Sequence, residues 1–446
     1  MNPLFLLLLG ILAIILLSSR FKLHTFVVLF GLTITLGLLA GFVPADVLKY
    51  AREGFGHTIE KVGLLIVLGT LLGSLLDRSG ATLSIANFLL SRVGAGQTAL
   101  AVTLMAFLVG LPIFCDSGFI VLSGLVLALA QRVQQGHLRL VLCLAGGLYS
   151  VHCLVPPHPG ITAAVGVLNA DTGQMMLLGT ALALPLTVVA YLWARYADRR
   201  FGSSVDQFDA EVDTLRPEPS PPTLLPSVAG ALAAIFVPIG LIALKSVLGL
   251  NPALWPATLL TGVGFLGDPI AALGVGIGIA LSLFPKLTKA LFNELTEESI
   301  VKAGPVLVIV AAGGAFGEII KHMGLETQLT GFAQQVSLGL LLPFGLTVLL
   351  KTAQGSSTVA VLAVASLLQP LLPMLGFVTD WDKVLVLAAM GAGSMTLSHA
   401  NDAYFWVVAR FGQLPTPLML RTYSVMTVWM GLSAFLSLLL VAWLTR

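Results

Sequence analysis

Four polar stretches, each broken by glycine or proline, interrupt long apolar runs and hold most of the side chains that could do chemistry. The first is Gly110-Leu-Pro-Ile-Phe-Cys-Asp-Ser-Gly118, which puts Asp116 just inside an apolar segment. Pro112 withholds a backbone donor and the glycines loosen the turn. A carboxylate at membrane depth is costly and calls for a role. It could carry a proton, or cap the helix expected over 117–131, a task Ser117 could also perform. The second stretch, Ser150-Val-His-Cys-Leu-Val-Pro-Pro-His-Pro-Gly160, cannot be continuous helix. Its His152 and His158 can carry protons near neutral pH, or rest on backbone carbonyls at a structural kink. The third, Thr352-Ala-Gln-Gly-Ser-Ser-Thr358, opens an apolar run. Gln354, Gly355, Ser356, Ser357 and Thr358 there would offer N–H groups and hydroxyls to an anion at a helix start, beyond what ordinary capping needs. The fourth, Ser394-Met-Thr-Leu-Ser-His-Ala-Asn-Asp-Ala-Tyr-Phe-Trp406, gathers Ser398, His399, Asn401 and Asp402. It reads as a site or as a solvated loop. Glu318 ends Ala311-Ala-Gly-Gly-Ala-Phe-Gly-Glu318, whose small residues suit close helix packing. Its carboxylate is either proton-linked or interfacial, beside Lys321.

Other chemistries lack their residues. A zinc site at His152 and His158 would need a third ligand that the sequence does not supply. Cys115, Cys143 and Cys153 form no close pair, so neither a disulfide framework nor a metal site is expected. No GxSxG or HExxH pattern points to a hydrolase. Neither metal nor cofactor is expected. A net charge of +2 without a basic arm excludes a nucleic-acid partner.

The elements that position these stretches are membrane helices. Hydrophobic residues make up 57% and charged residues 10% of the 446-residue chain, against about 25% charged in soluble domains. Mean hydropathy is +0.98. The alternation of a membrane barrel is missing. An all-α polytopic membrane protein of about 12–14 transmembrane segments plus re-entrant pieces is therefore expected, with apolar runs from 2–18 through 61–76, 160–170, 255–283, 303–320 and 403–410 to 417–443. The opening run lacks a basic start and a cleavage motif, so it reads as a first membrane helix rather than a leader. Arg20 and Lys22 place the following loop in the cytoplasm.

Shifting the chain by 244 residues superposes Gly69 on Gly313, Gly73 on Gly317, Gly80 on Gly324, Gly147 on Gly391 and Ser150 on Ser394, and brings His158 onto Asp402. Weak internal symmetry with interrupted apolar segments in corresponding places is the mark of a secondary transporter. The acidic, proline-rich stretch 198–222 reads as a cytoplasmic tether between a first transmembrane repeat, 1–197, and a second, 223–446.

GLPIFCDSGFIVLSGLVLALAQR, VHCLVPPHPG, AAGGAFGEII, AQGSSTVAVL and LSHANDAYFWVV, in this order, closely resemble the gluconate permease (GntP) family of the ion-transporter superfamily over residues 20–440. The resemblance implies proton-coupled uptake of a sugar-acid anion by a multi-pass protein of the bacterial inner membrane. It also implies two inverted-topology repeats, each with a re-entrant helical hairpin and broken helices, and a homo-oligomer in the lipid bilayer. Many members carry an aromatic residue and Glu where this chain has Cys115-Asp116, so a smaller acid such as glycerate is an alternative to gluconate. On this reading the carboxylate sits at Gln354–Thr358, and substrate hydroxyls meet His158, Ser398 and Asn401. Asp116, Asp402, His152, His399 and Glu318 are the candidate proton carriers. Sodium coupling is the nearest rival. A channel or sensor subunit would give flux without concentration.

Overall fold

The computed structural model describes residues 3–19, 21, 23–92, 97–133, 136–202, 225–250, 254–323, 339–400 and 402–445. Those residues are overwhelmingly helical. The first half holds α1 (Pro3–Ser19), α2 (Thr25–Leu39), α3 (Pro44–Arg78), α4 (Ala81–Arg92), α5 (Thr98–Gly110), α6 (Cys115–Val133), α7 (His137–His152), α8 (Pro159–Leu168) and α9 (Thr172–Phe201). The second holds α10 (Val228–Leu250), α11 (Ala257–Leu266), α12 (Pro269–Ser282), α13 (Lys289–His322), α14 (Leu341–Gln354), α15 (Ser357–Leu368), α16 (Asp380–Met395), α17 (Ala403–Phe411), α18 (Thr416–Arg421) and α19 (Tyr423–Thr445).

Helix starts follow local chemistry. Asp171 caps α9 by accepting from Gln174 N at 2.6 Å. Thr288 caps α13 through Leu291 N. Thr379 and Asp382 form a reciprocal capping box at α16. Pro159 opens α8, where a missing N–H costs nothing.

Each apolar run found from hydropathy that falls on described residues contains a helix. Two helices are much longer than their apolar runs. α3 begins at Pro44 and α13 at Lys289, because each extends a charged turn-rich end beyond its apolar part. Among the described residues, four helical stretches are long and apolar enough to cross a bilayer, six if two bent pairs count, one of which is α11–α12 at 66°. The remaining segments are shorter, such as α5, α8, α14 and α15, because the polar breaks cut them. Residues 198–201, assigned to the tether from composition, continue α9, and Asp198 pairs with Arg139 at 3.1 Å. Gly202 ends α9, and residues 203–222 of the tether lie outside the described residues.

Helix positions recur about 244 residues on. α3 corresponds to α13, α5 to α14, α6 to α15, α7 to α16, α8 to α17, and α9 to α18–α19. α3 and α13 pack along one another and run antiparallel. Tyr50 stacks on His322 with ring centroids 3.8 Å apart, and at the other end Arg78 pairs with Glu294.

The interior is made by α7, α15 and α16, whose described turns are almost wholly buried. Such helices, apolar on every side, belong at the centre of the fold. The outside is apolar too. α9 exposes Leu184, Val188 and Leu192, and α19 exposes Leu436, Leu440 and Trp443. Stripes of this size are stable against lipid and not against water.

Candidate substrate and ion site

The four breaks meet. α6, α8, α15 and α17 each begin at one of them, so the first turns of four helices, with their positive dipole ends, lie at the breaks. A Cβ on Gly160 would lie 2.9 Å from Thr358 Cα, so the starts of α8 and α15 touch and only glycine fits there. The Phe114 and His158 rings lie 6.3 Å apart, joining the first break to the second. Asp116 and Asp402 lie within electrostatic reach, joining the first to the fourth.

At the centre is Lys351, fully buried at the end of α14. Its Nζ donates to Asp402 Oδ2 and to the Gly355 carbonyl, each at 2.6 Å. Gly355 sits at φ +88°, a left-handed conformation natural to glycine, and this turns its carbonyl back to the ammonium. Asp402 has two further partners: Oδ1 accepts from Tyr404 N at 3.0 Å, capping α17, and Oδ2 also accepts from Ser398 Oγ. Asp402 thus caps a helix and neutralises a buried cation at once. Isolated, either charge would cost several kcal/mol in this setting.

The other expected residues sort around this pair. His158 is buried and its Nε2 meets the Gly110 carbonyl at 2.7 Å. His152 lies with its ring centroid 4.9 Å from that of His158, feels the Lys351 charge, and has Nδ1 buried without a partner among the described residues. His399 Nε2 meets the Thr352 carbonyl at 3.2 Å. Asp116 caps nothing among the described residues; its carboxylate accepts from the Cys115 thiol at 3.6 Å. Ser356 caps α15 by accepting from Val359 N, which leaves its O–H free to donate. Ser357 and Thr358 are half-buried beside it. Both polar atoms of the Gln354 side chain are buried and unpartnered among the described residues, which costs about 1–3 kcal/mol each unless something polar meets them. Asn401 lies outside the described residues. Glu318 is not brought to the cluster. It pairs with Lys321 at 3.1 Å and lies 3.5 Å from His322.

Lys351 was not among the residues singled out from the sequence. The signal was present: one lysine inside LLPFGLTVLLKTAQG, where an intramembrane charge marks a site by default. Lys351 directly precedes the third polar stretch. A small cavity borders the first break, with Thr70, Ser74, Asp77, Ser117 and Lys302 among its lining residues beside the apolar Pro112, Ile113 and Phe114.

The arrangement is a buried ion pair inside an apolar interior, with a second carboxylate, Asp116, near it and no grouping of His, Cys, Asp or Glu suited to a metal among the described residues. Residues 2–444 match the GntP family permease profile. The chain belongs to the GntP permease family. It is 31% identical to the inner membrane permease YgbN of Escherichia coli K12, over 96% of this chain and 95% of that one. It is also 31% identical to the gluconate permease of Pseudomonas aeruginosa, over 97% of this chain and 96% of that one. The fold is similar to the crystal structure of the Alcanivorax borkumensis YdaH transporter, with a TM-score of 0.67 at 16% identity, covering 93% of this chain and 98% of that one. As a GntP permease the chain is a transporter of the bacterial inner membrane and not an enzyme.

Proposed function

We propose that this permease takes up gluconate, or a shorter hydroxycarboxylate such as glycerate, together with protons. The observation that carries this reading is the buried Lys351–Asp402 pair at the meeting point of four helix starts. A fixed ammonium and converging N–H groups suit a carboxylate. Gln354, Ser357, Thr358, His158 and Ser398 suit hydroxyls, and Asn401 adjoins them in sequence. Bringing an anion into a cell with an inside-negative potential costs about 2.3 kcal/mol per charge per 100 mV, which protons moving with it offset. Asp116, Asp402, His152 and His399 are the groups at hand to carry them, and the Asp77 cavity gives water a polar approach to the first break. Cys115-Asp116, shorter than the aromatic-Glu pair of many relatives, bears on which acid fits.

The alternating movement is supported by the recurrence of helices and the antiparallel packing of α3 on α13. We assign 1–197 and 223–446 as two repeats of inverted topology joined by a cytoplasmic tether. Rocking one against the other would expose a fixed site to either side.

Uptake of radiolabelled gluconate and glycerate into proteoliposomes, with an inward proton gradient and sodium-free buffer, tests the reading. Accumulation that a protonophore abolishes is the expected result. Accumulation only on adding sodium would assign the coupling to Na⁺, and equilibration without accumulation would make the protein a channel.

A further inference from the structure

We propose that Asp402 is a built-in stand-in for the substrate carboxylate, that the two compete for Lys351, and that protonating Asp402 hands the ammonium to the substrate. This rests on the reading of Lys351 as the anion anchor and adds how the proton is coupled to it.

The geometry is that of an occupied carboxylate site. Asp402 Oδ2 takes the ammonium at 2.6 Å, as a bound carboxylate would. The other ammonium contact, to the Gly355 carbonyl, holds the Lys351 side chain in place whichever anion is present. Asp402 keeps its remaining partners, Tyr404 N and Ser398 Oγ, when it lets the ammonium go. A protonated Asp402 still accepts from Tyr404 N through its unprotonated oxygen and can donate from the other, so release does not unravel the start of α17. Gln354, three residues after Lys351 on α14, has two buried polar atoms without partners among the described residues, and these suit a second carboxylate and its hydroxyls.

Charge counting favours the coupling. With Asp402 ionised, substrate entry adds an uncompensated negative charge to a buried cluster. With Asp402 protonated, the substrate carboxylate replaces it and the net charge is unchanged. The proton is gained by one carboxylate oxygen of Asp402, and no other bond is made or broken. The other ionisable groups facing the pair are Asp116 from α6, His152 from α7, Cys115 and Cys153, Tyr149, Tyr404 and Tyr423, with His399 near the Thr352 carbonyl. Among the described residues none of these makes an ion pair with Lys351 or Asp402, which are in direct ionic contact with each other.

The test is gluconate binding to purified protein as a function of pH, with wild type, Asp402→Asn and Lys351→Gln. Protons favour the form that binds, so wild-type affinity should fall with rising pH, by up to about tenfold per pH unit for one linked proton. Asp402→Asn should bind with no such slope and should fail to accumulate gluconate on a proton gradient. Lys351→Gln should bind at least about tenfold more weakly at every pH. An Asp402→Asn protein that keeps the wild-type slope overturns the proposal even if Lys351→Gln has lost binding. A Lys351→Gln protein that binds like wild type overturns the anion-anchor reading itself. If Asp402→Asn does not fold, proton uptake on gluconate binding to wild type in weakly buffered solution decides the matter. Uptake approaching one proton per gluconate is expected, and none contradicts the proposal.

Discussion

A single lysine changes the account of the site. Asp116, His152, His158, Asp402 and the Gln354–Thr358 run were legible in the sequence because polar types stand out in apolar surroundings. Their relations were not. Nothing in the spacing shows that Asp402 neutralises a side chain 51 positions earlier, or that Asp116 is held by a thiol instead of capping a helix. Such pairings are set by how the breaks meet in space. The buried pair has a consequence for stability. Removing one partner strands the other charge, which typically costs about 3–5 kcal/mol, whereas removing both is far milder. Lys351→Gln should therefore unfold markedly earlier than wild type in detergent, and Lys351→Gln/Asp402→Asn should recover most of the loss. Equal destabilisation by the single and double variants would mean that the two charges are not coupled.

At the scale of elements, hydropathy located most of the helices and missed α4 and the polar ends of α3 and α13. The charged first turns of α3 and α13 carry no apolar signal, yet they stay helical because each packs along the other, Tyr50 on His322 and Arg78 on Glu294. The glycine echo has a packing cause. A Cβ on Gly73 would meet the Pro112 carbonyl at 2.9 Å, and one on Gly317 the Ser366 carbonyl at 3.0 Å, so in each half a long helix presses on broken or central backbone. Repeats of inverted topology place the equivalent ends of α3 and α13 on opposite sides of the membrane. Leu48 and Phe292 are both exposed near those ends, 48% and 36% accessible. In a protein whose three native cysteines are replaced, Leu48→Cys and Phe292→Cys should be labelled by an impermeant maleimide from opposite sides. Labelling from the same side would contradict the inversion.

The whole molecule combines an apolar shell, an apolar centre and a small cluster where helix starts, one cation and two carboxylates converge. Fold class and family were readable from composition and motifs, because they depend on patterns along the chain. The charge balance of the cluster was not, because it depends on contacts between residues far apart in sequence. If that cluster selects its substrate by charge, gluconate and its neutral amide, gluconamide, should part sharply although their hydroxyls are the same. A hydrogen-bonded charge contact is worth about 1.5–3 kcal/mol, or roughly tenfold or more in affinity. The measurement is competition by each compound against radiolabelled gluconate uptake in wild-type proteoliposomes. The account predicts that gluconamide competes at least about tenfold less well than unlabelled gluconate, and equal competition would contradict a carboxylate anchored at Lys351.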